Sequence, residues 1–469
     1  MTRTRTFEIA GGARIVTPDS LNLVTPYVLF EQQDWFEEEI GFLRTFLQPG
    51  QQALDVGANY GIYTLSIAKA VGPTGAVWAF EPASSTAALL EQGIAANSFS
   101  NVILERSALS RESGSAQLTL NNDPELNALV RVEAVTGTTE TVPVVTLDGC
   151  LQRFGWTRID FVKIDAEGEE ANIIEGGRRF FADFSPLVLY EVKAGTTLHL
   201  ELVAKFAAIG FDSYRLVPGL NVLVPYDAAA KPDGYLLNLF CCKKDRAATL
   251  ADRGLLLDAA SIAALAGNRL NDFLQRHGHE YAWERRLATL PYGRKCAPFW
   301  EDGASDAGGA VEDALTCYAI SQDAKVPPLE RFGALAKSLD RLATLSQEGP
   351  PSLRLASLAR VARSFGARAT AVGALGRLIE TQLRENRLEI DEPFLAPGER
   401  FDTIEPGENL QNWILAAALE EHEKLGAYSS YYTGDGSRRR LELIVSLGYE
   451  SAEMRRRLQL IQARFPVPG

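Results

Sequence analysis

The sequence predicts an α/β protein with a doubly wound, mostly parallel sheet, followed by an all-α C-terminal domain of helical or short-solenoid type. Three observations predict this. Over roughly the first half of the chain, short apolar runs alternate with stretches of helical spacing, the pattern of a parallel sheet covered by helices. In the second half the strand pattern fades while helical spacing continues. A length of 469 residues corresponds to two or three domains rather than one.

The first half contains strand and helix candidates in alternation, distinguished by the period of their apolar residues. The strand candidates are Gln52–Val56, Ala76–Phe80, Val102–Leu104, Phe161–Ile164 and Leu187–Tyr190, and a strand pair, Asn221–Val224 with Tyr235–Cys241, is expected to close the sheet. The helix candidates are Trp35–Leu47, Ile62–Val71, Ser84–Ala96, Glu169–Gly176 and Leu198–Ile209.

The second half is predicted to be helical. Its helix candidates are Leu329–Leu345, Ser352–Phe365, Thr370–Arg384, Leu410–Leu425 and Arg438–Leu447. No clean repeat of 34 residues recurs, so a tetratricopeptide array is not predicted. Two arginine triplets, at 438–440 and 455–457, are interpreted as solvated helix faces in an acidic protein.

Charge and composition narrow the classes of function. Sixty acidic residues against 47 basic ones give a net charge of −13, which opposes binding to nucleic acid and to anionic lipid. No apolar run has the length of a transmembrane helix, and the N-terminus has no stretch of signal-peptide length. Five cysteines without metal-ligand spacing fit a reducing compartment. We therefore expect a cytoplasmic protein.

A glycine-containing turn follows the first central strand candidate. Asp55 ends the strand, Gly57 and Gly61 flank a tight loop, and Glu81 ends the next strand 26 residues later. Glycine allows a ligand to approach the backbone closely, and a carboxylate at the second strand can take both hydroxyls of a ribose. A dinucleotide cofactor is an alternative, but the spacing is G-x-x-x-G, and Asp55 would repel a pyrophosphate. A donor with an ammonium and a sulfonium group, S-adenosylmethionine, is favoured.

An ordered set of motifs extends this pattern. The sequence contains D-V-G-A-N-x-G-x-Y-T from Asp55, F-E-P from Phe80, S-A-L-S from Ser107, T-L-D from Thr146 and K-I-D-x-E-G-x-E from Lys163. Over about residues 47–192 this set resembles the FkbM-type family of S-adenosylmethionine-dependent methyltransferases. The resemblance implies a class I methyltransferase (Rossmann-like) fold and O-methyl transfer, often to sugar or polyketide hydroxyls.

The resemblance also implies roles for individual residues. Asp55, Gly57, Asn59 and Gly61 would line the methionine end of the donor, Glu81 would hold the ribose, and Ser107 and Ala108 would lie beside the adenine. Ala58, Tyr60 and Pro82 are assigned to the same cofactor site. The sequence predicts three domains. They are an N-terminal extension at 1–48 that packs on the catalytic domain, the methyltransferase domain at 49–245, and a helical accessory domain at 246–469.

Acids close four of the strand candidates. Asp55, Glu81, Asp165 and Glu191 should converge, because parallel strands deliver their last residues to one edge of a sheet. Such crowding is costly unless a cation offsets it, and a sulfonium donor, a metal or a basic acceptor would do so. We expect Asp165, or failing it Glu167 or Glu191, to accept the proton of an acceptor hydroxyl. A divalent metal is compatible with these acids, but no spacing requires one.

The sequence therefore predicts an S-adenosylmethionine-dependent O-methyltransferase acting on a sugar hydroxyl or glycan precursor. Its helical half would recognise the acceptor, a protein partner or a second copy of the chain. Two alternatives stay open at this point. One is a Rossmann enzyme linked to NAD or a nucleotide sugar. The other is a scaffold whose methyltransferase half is idle and whose helical half binds partners.

Overall fold

The computed structural model describes residues 3–121, 123–124, 127–129, 138–194, 197–265, 269–302, 309–347, 353–385 and 390–466. The chain divides into two compact units. The first comprises Met1–Leu216, Pro225–Pro232 and Leu236–Leu256, and the second comprises Val217–Val224, Asp233–Tyr235 and Leu257–Gly469.

Sixteen strands are present in the described residues. They are β1 (Thr4–Glu8), β2 (Arg14–Pro18), β3 (Gln52–Val56), β4 (Ala76–Phe80), β5 (Val102–Glu105), β6 (Ala108–Leu109), β7 (Gly114–Leu120), β8 (Ala128–Leu129), β9 (Thr138–Val145), β10 (Phe161–Ile164), β11 (Leu187–Glu191), β12 (Lys193–Ala194), β13 (Thr197–Leu198), β14 (Asp212–Val217), β15 (Val222–Pro225) and β16 (Asn238–Cys242). Eight form the main sheet, in the order β15-β14-β16-β11-β10-β3-β4-β5.

The main sheet is mostly parallel. Strands β5, β4, β3, β10 and β11 run parallel to one another, and β16 pairs antiparallel with both β11 and β14. Within this sheet the chain enters at β3, near the middle, moves outward through β4 to β5, and returns at β10 to fill the other half. The doubly wound α/β fold predicted from the sequence is therefore confirmed.

Nine α-helices belong to the described part of the first unit. They are α1 (Val24–Gln32), α2 (Glu38–Phe46), α3 (Ile62–Val71), α4 (Ser84–Ala96), α5 (Leu147–Phe154), α6 (Glu170–Gly176), α7 (Arg178–Asp183), α8 (Glu201–Ala208) and α9 (Lys244–Asp252). Helix α2 lies against the sheet through Phe42, whose ring is 5.1 Å from that of Phe240, and Phe46, which is 6.3 Å from Phe161. The segment before residue 49 thus packs on the main sheet.

Several parts of the first unit differ from the prediction. The expected pairing of Asn221–Val224 with Tyr235–Cys241 is wrong, because β14 lies between β15 and β16. Strand β14 was missed since its sequence, DSYRLV, has no continuous apolar run. A second sheet, in the order β6-β9-β7-β8, and the hairpin β1–β2 were also missed. Strands β1, β7 and β9 are largely polar and mostly exposed or half-buried, so their apolar signal is weak.

The two units interleave along the chain instead of dividing at the predicted 245/246, since Val217–Val224 and Asp233–Tyr235 already belong to the second unit. Helix α9 belongs to the first unit. It is held there by Arg246, which donates a hydrogen bond to the carbonyl oxygen of Ser185 and lies 3.6 Å from the carboxylate of Asp160.

The second unit is helical, as predicted. Its α-helices in the described residues are α10 (Ala259–Ala264), α11 (Leu270–His277), α12 (Trp283–Leu287), α13 (Pro291–Asp302), α14 (Ala310–Gln322), α15 (Pro328–Leu345), α16 (Arg354–Phe365), α17 (Arg368–Glu385), α18 (Leu410–Gly426), α19 (Ser430–Thr433), α20 (Arg438–Ser446) and α21 (Ala452–Arg464). From α14 to α18 each helix packs on the next. Ser352, the first residue of one predicted helix, lies outside the described residues. No described helix has both the length and the apolar character needed to cross a bilayer.

The interpretation of the arginine triplets as solvated is wrong for Arg457. Its side chain is 1% exposed, pairs with Glu453 at 2.9 Å and lies 3.6 Å from the buried Glu423. Arg440 also pairs with Glu423, at 2.5 Å. Glu423, buried on α18, and Glu453 of α21 provide these partners, and a buried arginine is tolerated only when its charge is paired.

Asp160 anchors the start of the central strands, which generates a prediction. Its carboxylate accepts hydrogen bonds from the Gln52 amide at 3.0 Å and from Arg158 at 2.7 Å, and the residue is 4% exposed. We expect Asp160→Ala to lower the free energy of unfolding by about 2–4 kcal/mol, because it leaves buried donors unpaired. Urea unfolding followed by fluorescence measures this. Asp183→Ala, which breaks an exposed pair with Arg179, should change nothing measurable; equal effects would contradict the anchoring role.

Candidate active site

The carboxyl ends of four adjacent parallel strands form the site. Strands β4, β3, β10 and β11 lie side by side, and Asp55 of β3 is in register with Lys163 of β10. Glu81 follows β4 directly, Asp165 follows β10, and Glu191 is the last residue of β11. The structure thus brings the four strand-terminal acids to one edge of the sheet.

The turn after β3 depends on glycine. Gly57 has φ = 77°, and its amide and that of Ala58 both donate to the carbonyl oxygen of Phe80, at 3.1 and 3.0 Å. A Cβ at position 57 would overlap the carbonyl oxygen of Asp165. Gly61, at φ = 87°, precedes α3, and a Cβ there would overlap a methyl group of Leu90. The turn is therefore packed tightly between β4 and the loop after β10.

Glu81 is fixed by the backbone of two neighbouring loops. Its carboxylate oxygens accept hydrogen bonds from the amides of Asn59 and Ala83, each at 2.9 Å. Asn59 itself has a left-handed backbone, with φ = 47°. Burial raises the pKa of Glu81 to about 7, although the two amide hydrogen bonds lower it. The carboxylate is thus oriented in advance and retains further lone pairs for a ligand.

Three buried polar atoms on this side of the site have no hydrogen-bond partner among the described residues. They are Oδ1 of Asp55, Oδ1 of Asn59 and Oγ of Ser107. The other carboxylate oxygen of Asp55 accepts a hydrogen bond from Thr64 at 2.5 Å, and burial raises the pKa of Asp55. An unpaired buried polar atom is costly, so atoms of this kind indicate a place where a ligand provides the partner.

The remaining predicted cofactor residues lie in the same loops. Ala58 and Tyr60 are buried within the turn between β3 and α3. Ala108 is buried at the start of β6, directly after Ser107, and Pro82 is half-buried after Glu81. The structure therefore places these predicted residues around the ends of β3, β4 and β5.

The three predicted catalytic acids form a separate cluster on the other side. One carboxylate oxygen of each of Asp165, Glu167 and Glu191 lies within 4.8 Å of the others. Burial, then the charges of Asp165 and Glu170, raise the pKa of Glu167 to about 8. The pKa of Glu191 is also raised, first by burial and then by the charges of Asp165 and Glu167. The cluster can therefore hold and release protons near neutral pH.

Lys163 supplies a buried cation that sequence reasoning missed. Its Nζ lies 2.7 Å from Oδ2 of Asp165 and 4.9 Å from the centre of the Tyr63 ring. Burial lowers the pKa of a lysine, but the carboxylates of Asp165, Asp55 and Glu37 outweigh it and raise the pKa. The signal was present in the sequence: positions 163 and 165 are two apart, so their side chains share one face of the strand.

Glu37 and Asn238 were also missed. The Glu37 carboxylate accepts hydrogen bonds from the Tyr63 hydroxyl at 2.5 Å, from Asn238 at 3.0 Å and from the Trp35 indole at 2.9 Å. Asn238 is the β16 neighbour of Glu191. Both residues come from chain segments distant from the motifs, and no local pattern marks them.

The loop that carries Asp165 and Glu167 is braced from within. Glu170 accepts hydrogen bonds from the amides of Ala166 at 2.9 Å and Gly168 at 3.3 Å. Glu169 accepts one from the hydroxyl of Ser110 at 2.7 Å. These two acids therefore brace the loop before α6, and the Glu169 side chain makes no cap hydrogen bond to the helix.

A comparison with known protein families identifies the domain that contains these strands. Residues 55–213 match the family model described as the methyltransferase FkbM domain. This segment is an FkbM methyltransferase domain. The sheet around it has the class I methyltransferase fold, and the domain belongs to the S-adenosylmethionine-dependent methyltransferases, as the resemblance implied.

Solved structures give matches of low identity. An FkbM methyltransferase from Methylobacillus flagellatus is 16% identical, with 41% of this chain matched to 43% of that one and a TM-score of 0.29. A protein described as a putative rRNA methylase from Clostridium thermocellum is 10% identical, with 45% of this chain matched to 95% of that one and a TM-score of 0.29. A putative methyltransferase from Streptococcus mutans in complex with SAH is 10% identical, covering 44% and 95%, with a TM-score of 0.27. No curated protein sequence matches the chain.

The residues present fit S-adenosylmethionine. The backbone of the turn from Gly57 to Gly61 is fixed by two left-handed glycines, whose Cβ positions are taken up by Asp165 and Leu90. The unpaired oxygens of Asp55 and Asn59 suit the cationic methionine end, and the carboxylate of Glu81 suits a ribose diol. Among the described residues, the FkbM domain thus has acceptors where a donor with these groups needs them.

The tight packing of Gly57 generates a prediction with a matched control. Gly57→Ala forces both a left-handed alanine and an overlap with the backbone of Asp165, so we expect loss of S-adenosylhomocysteine binding and several kcal/mol of stability. Gly168→Ala has the same left-handed strain, at φ = 95°, but open space around its Cβ. It should cost only about 1–2 kcal/mol. Calorimetric titration and thermal unfolding measure both; a Gly57→Ala variant that binds normally would contradict the site.

Proposed function

We propose that this protein transfers a methyl group from S-adenosylmethionine to a hydroxyl of a sugar or glycan-precursor acceptor. One observation carries the proposal. Unpaired acceptor atoms of the FkbM domain, at Asp55, Asn59 and Ser107, share a sheet edge with a cluster of acids that can take up a proton. A methyl donor and a proton acceptor on one edge are the two requirements of O-methylation.

The donor side of the proposal uses the residues around β3, β4 and β5. Asp55, Asn59 and the turn from Gly57 to Gly61 would hold the methionine end, and Glu81 would hold the ribose. Ser107 and Ala108 would lie beside the adenine, with Ala58, Tyr60 and Pro82 completing the walls. When bound, S-adenosylmethionine supplies an activated methyl group on a positively charged sulfur. The negative charge of Asp55 favours that cation.

The acceptor side requires alignment and a base. A hydroxyl is a poor nucleophile until its proton is removed, and a positioned base contributes about 10²–10⁴-fold to the rate. Asp165 is our choice of base, with Glu167 and Glu191 as the alternatives. All three belong to one cluster, and the side chain of Asp165 is 35% exposed, so an acceptor can reach it.

The proposal also covers the helical unit, the location of the protein and the need for a metal. Recognition of a bulky acceptor, a protein partner or a second copy is assigned to the helical unit, and the location is proposed to be cytoplasmic. A divalent cation could share the acid cluster, but Lys163 already offsets part of its charge, so none is required. Assays with and without a chelator decide that point.

Ligand titration separates this proposal from its alternatives. Purified protein is titrated by calorimetry with S-adenosylmethionine, S-adenosylhomocysteine, NAD⁺ and a uridine-diphosphate sugar. The proposal predicts binding of the first two only. It is contradicted by binding of NAD⁺ or the nucleotide sugar without binding of either sulfur compound.

Methyl transfer itself is tested with methyl-labelled donor. The protein is incubated with methyl glycosides, nucleotide sugars and extracted glycan precursors, and labelled products are identified by mass spectrometry. The proposal predicts an alkali-stable methyl ether on a sugar. Donor binding with no transfer to any of these acceptors would favour the scaffold alternative instead.

Glu81 generates a prediction about pH. Burial raises its pKa to about 7, and a protonated carboxyl has fewer lone pairs to offer a ribose, so S-adenosylhomocysteine affinity should fall as pH drops below 7. Glu81→Gln should weaken binding by about 1.5–3 kcal/mol at pH 8 and abolish this pH dependence. Glu91→Gln, at an exposed helix position, is the control. In the free protein the raised pKa makes folding stability fall as pH rises from about 4.5 to 7, because the folded state binds more protons there.

Asp165 generates a prediction about turnover. Asp165→Asn should reduce methyl transfer by about 10²–10⁴-fold while S-adenosylhomocysteine affinity stays within a few-fold of the wild type, because the base is lost and the donor contacts are kept. Asp183→Asn, on the exposed end of α7, is the matched control and should be fully active. Unchanged turnover in Asp165→Asn would remove Asp165 from the mechanism.

A further inference from the structure

Lys163 has an unusual position for a lysine. It lies within β10 between Val162 and Ile164, and it is 5% exposed. A buried ammonium group is costly unless it is paired, and lysines are rarely found in such places without a partner. The side chain is too buried to touch an acceptor, so any role it has must be exerted through its neighbours.

The direct partner of Lys163 is Asp165. Nζ and Oδ2 lie 2.7 Å apart, the distance of a charge-assisted hydrogen bond. The same Asp165 side chain shares the 4.8 Å cluster with Glu191 and Glu167. One cation therefore faces three acids, but it contacts only one of them. Carboxylates this close cannot all be ionised, so some must hold protons.

Tyr63 and Glu37 hold Lys163 in place. The Tyr63 ring presents its face to Nζ at 4.9 Å, a cation–π contact, and its hydroxyl donates to Glu37 at 2.5 Å. Glu37 is in turn fixed by Asn238. These contacts come from α3, from the segment before α2 and from β16, so Lys163 is braced by elements other than its own strand.

We propose that Lys163 determines which of the three acids accepts the acceptor's proton. By donating a hydrogen bond to Oδ2 it fixes the orientation of the Asp165 carboxylate and offsets its charge, a contact that neither Glu191 nor Glu167 has among the described residues. Lys163 is then a positioning residue for Asp165, and this inference rests on the proposed function. In the proton step the acceptor O–H bond breaks, the proton goes to the Asp165 carboxylate, which becomes a neutral carboxyl group, and Lys163 stays an ammonium ion.

The inference is consistent with the charges around the cluster. The titratable groups that face it are Glu37 from the segment before α2, Asp55 of β3, Tyr63 of α3 and Glu170 of α6. Glu37 raises the pKa of Glu191, and Glu170 raises that of Glu167, which the charge of Lys163 lowers in part. Of the three acids in the cluster, Asp165 is the one with an ammonium group of a described residue within hydrogen-bond distance.

Infrared spectroscopy tests the proposal without an acceptor. The C=O stretch of protonated carboxyl groups is recorded at pH 7 for the wild type, Glu191→Gln, Lys163→Met and the double variant Lys163→Met/Asp165→Asn. We expect Glu191→Gln to remove absorption, because burial and the neighbouring acids raise the pKa of Glu191. Lys163→Met should add absorption, since Asp165 loses the cation that offsets its charge, and Asp165→Asn in that background should remove the added band. Absorption that Lys163→Met leaves unchanged would overturn the proposal.

A double-mutant cycle tests the same pair independently. Unfolding is measured for Lys163→Met, Asp165→Asn and the double variant, with Lys205→Met and Glu175→Gln as the matched cycle on an exposed pair 3.7 Å apart. At pH 8 the buried pair should be coupled by about tenfold or more in the unfolding constant, and the exposed pair by less than about threefold. No coupling of the buried pair would overturn the proposal.

The pH dependence of the same variants excludes a purely structural role. Without Lys163, its neighbouring acids gain pKa in the folded state, so Lys163→Met should lose stability as pH rises from 5 to 8 and recover on acidification. A packing defect alone would lower stability equally at every pH, and that result would overturn the proposal. Binding of S-adenosylhomocysteine to the wild type reports separately on the proposed function, so the two can fail independently.

Discussion

The parallel strands of this protein deliver acidic side chains to one edge of the sheet, and the electrostatics of that edge govern the rest of the site. Asp55, Glu81, Asp165 and Glu191 all end or follow strands there. Burial raises the free energy of every charged carboxylate. These acids can therefore be buried only where amide donors, a cation or bound protons offset their charge. The charge of each acid is offset differently, and the proposed roles follow these differences.

The donor side is compensated by the backbone. Glu81 takes two amide hydrogen bonds, and Asp55 takes the hydroxyl of Thr64 and leaves one oxygen unpaired. The acceptor side is compensated by Lys163 and by shared protons. A site that keeps unpaired acceptors on one side and mobile protons on the other is suited to bind a cationic donor and to remove a proton from its partner.

Much of the fold could be predicted from the sequence because the central strands are buried on both faces. Such strands have continuous apolar runs, and β3, β4 and β10 have the predicted bounds. The strands that were missed, such as β7 and β14, are short of apolar runs because they are largely exposed or half-buried. Strand order near β16 could not be predicted, since pairing depends on contacts far apart in the chain.

The convergence of the strand-terminal acids at the candidate site could also be predicted from the sequence. The strand-terminal acids and the glycine turn are local features, and their convergence follows from parallel topology. Lys163 was visible but lay inside an apolar run, where it was counted as part of the strand. Glu37 and Asn238 lie 26 and 175 residues from Tyr63, and only the folded structure brings the three together.

The account is tested most directly by a crystal structure of the protein with S-adenosylhomocysteine. It predicts that the ligand lies on the turn from Gly57 to Gly61, that its ribose hydroxyls contact the Glu81 carboxylate, and that the unpaired oxygen of Asp55 gains a partner. The sulfur should face the Asp165 cluster. Ligand density elsewhere in the molecule, or a Glu81 side chain turned away from the ribose, would contradict the account.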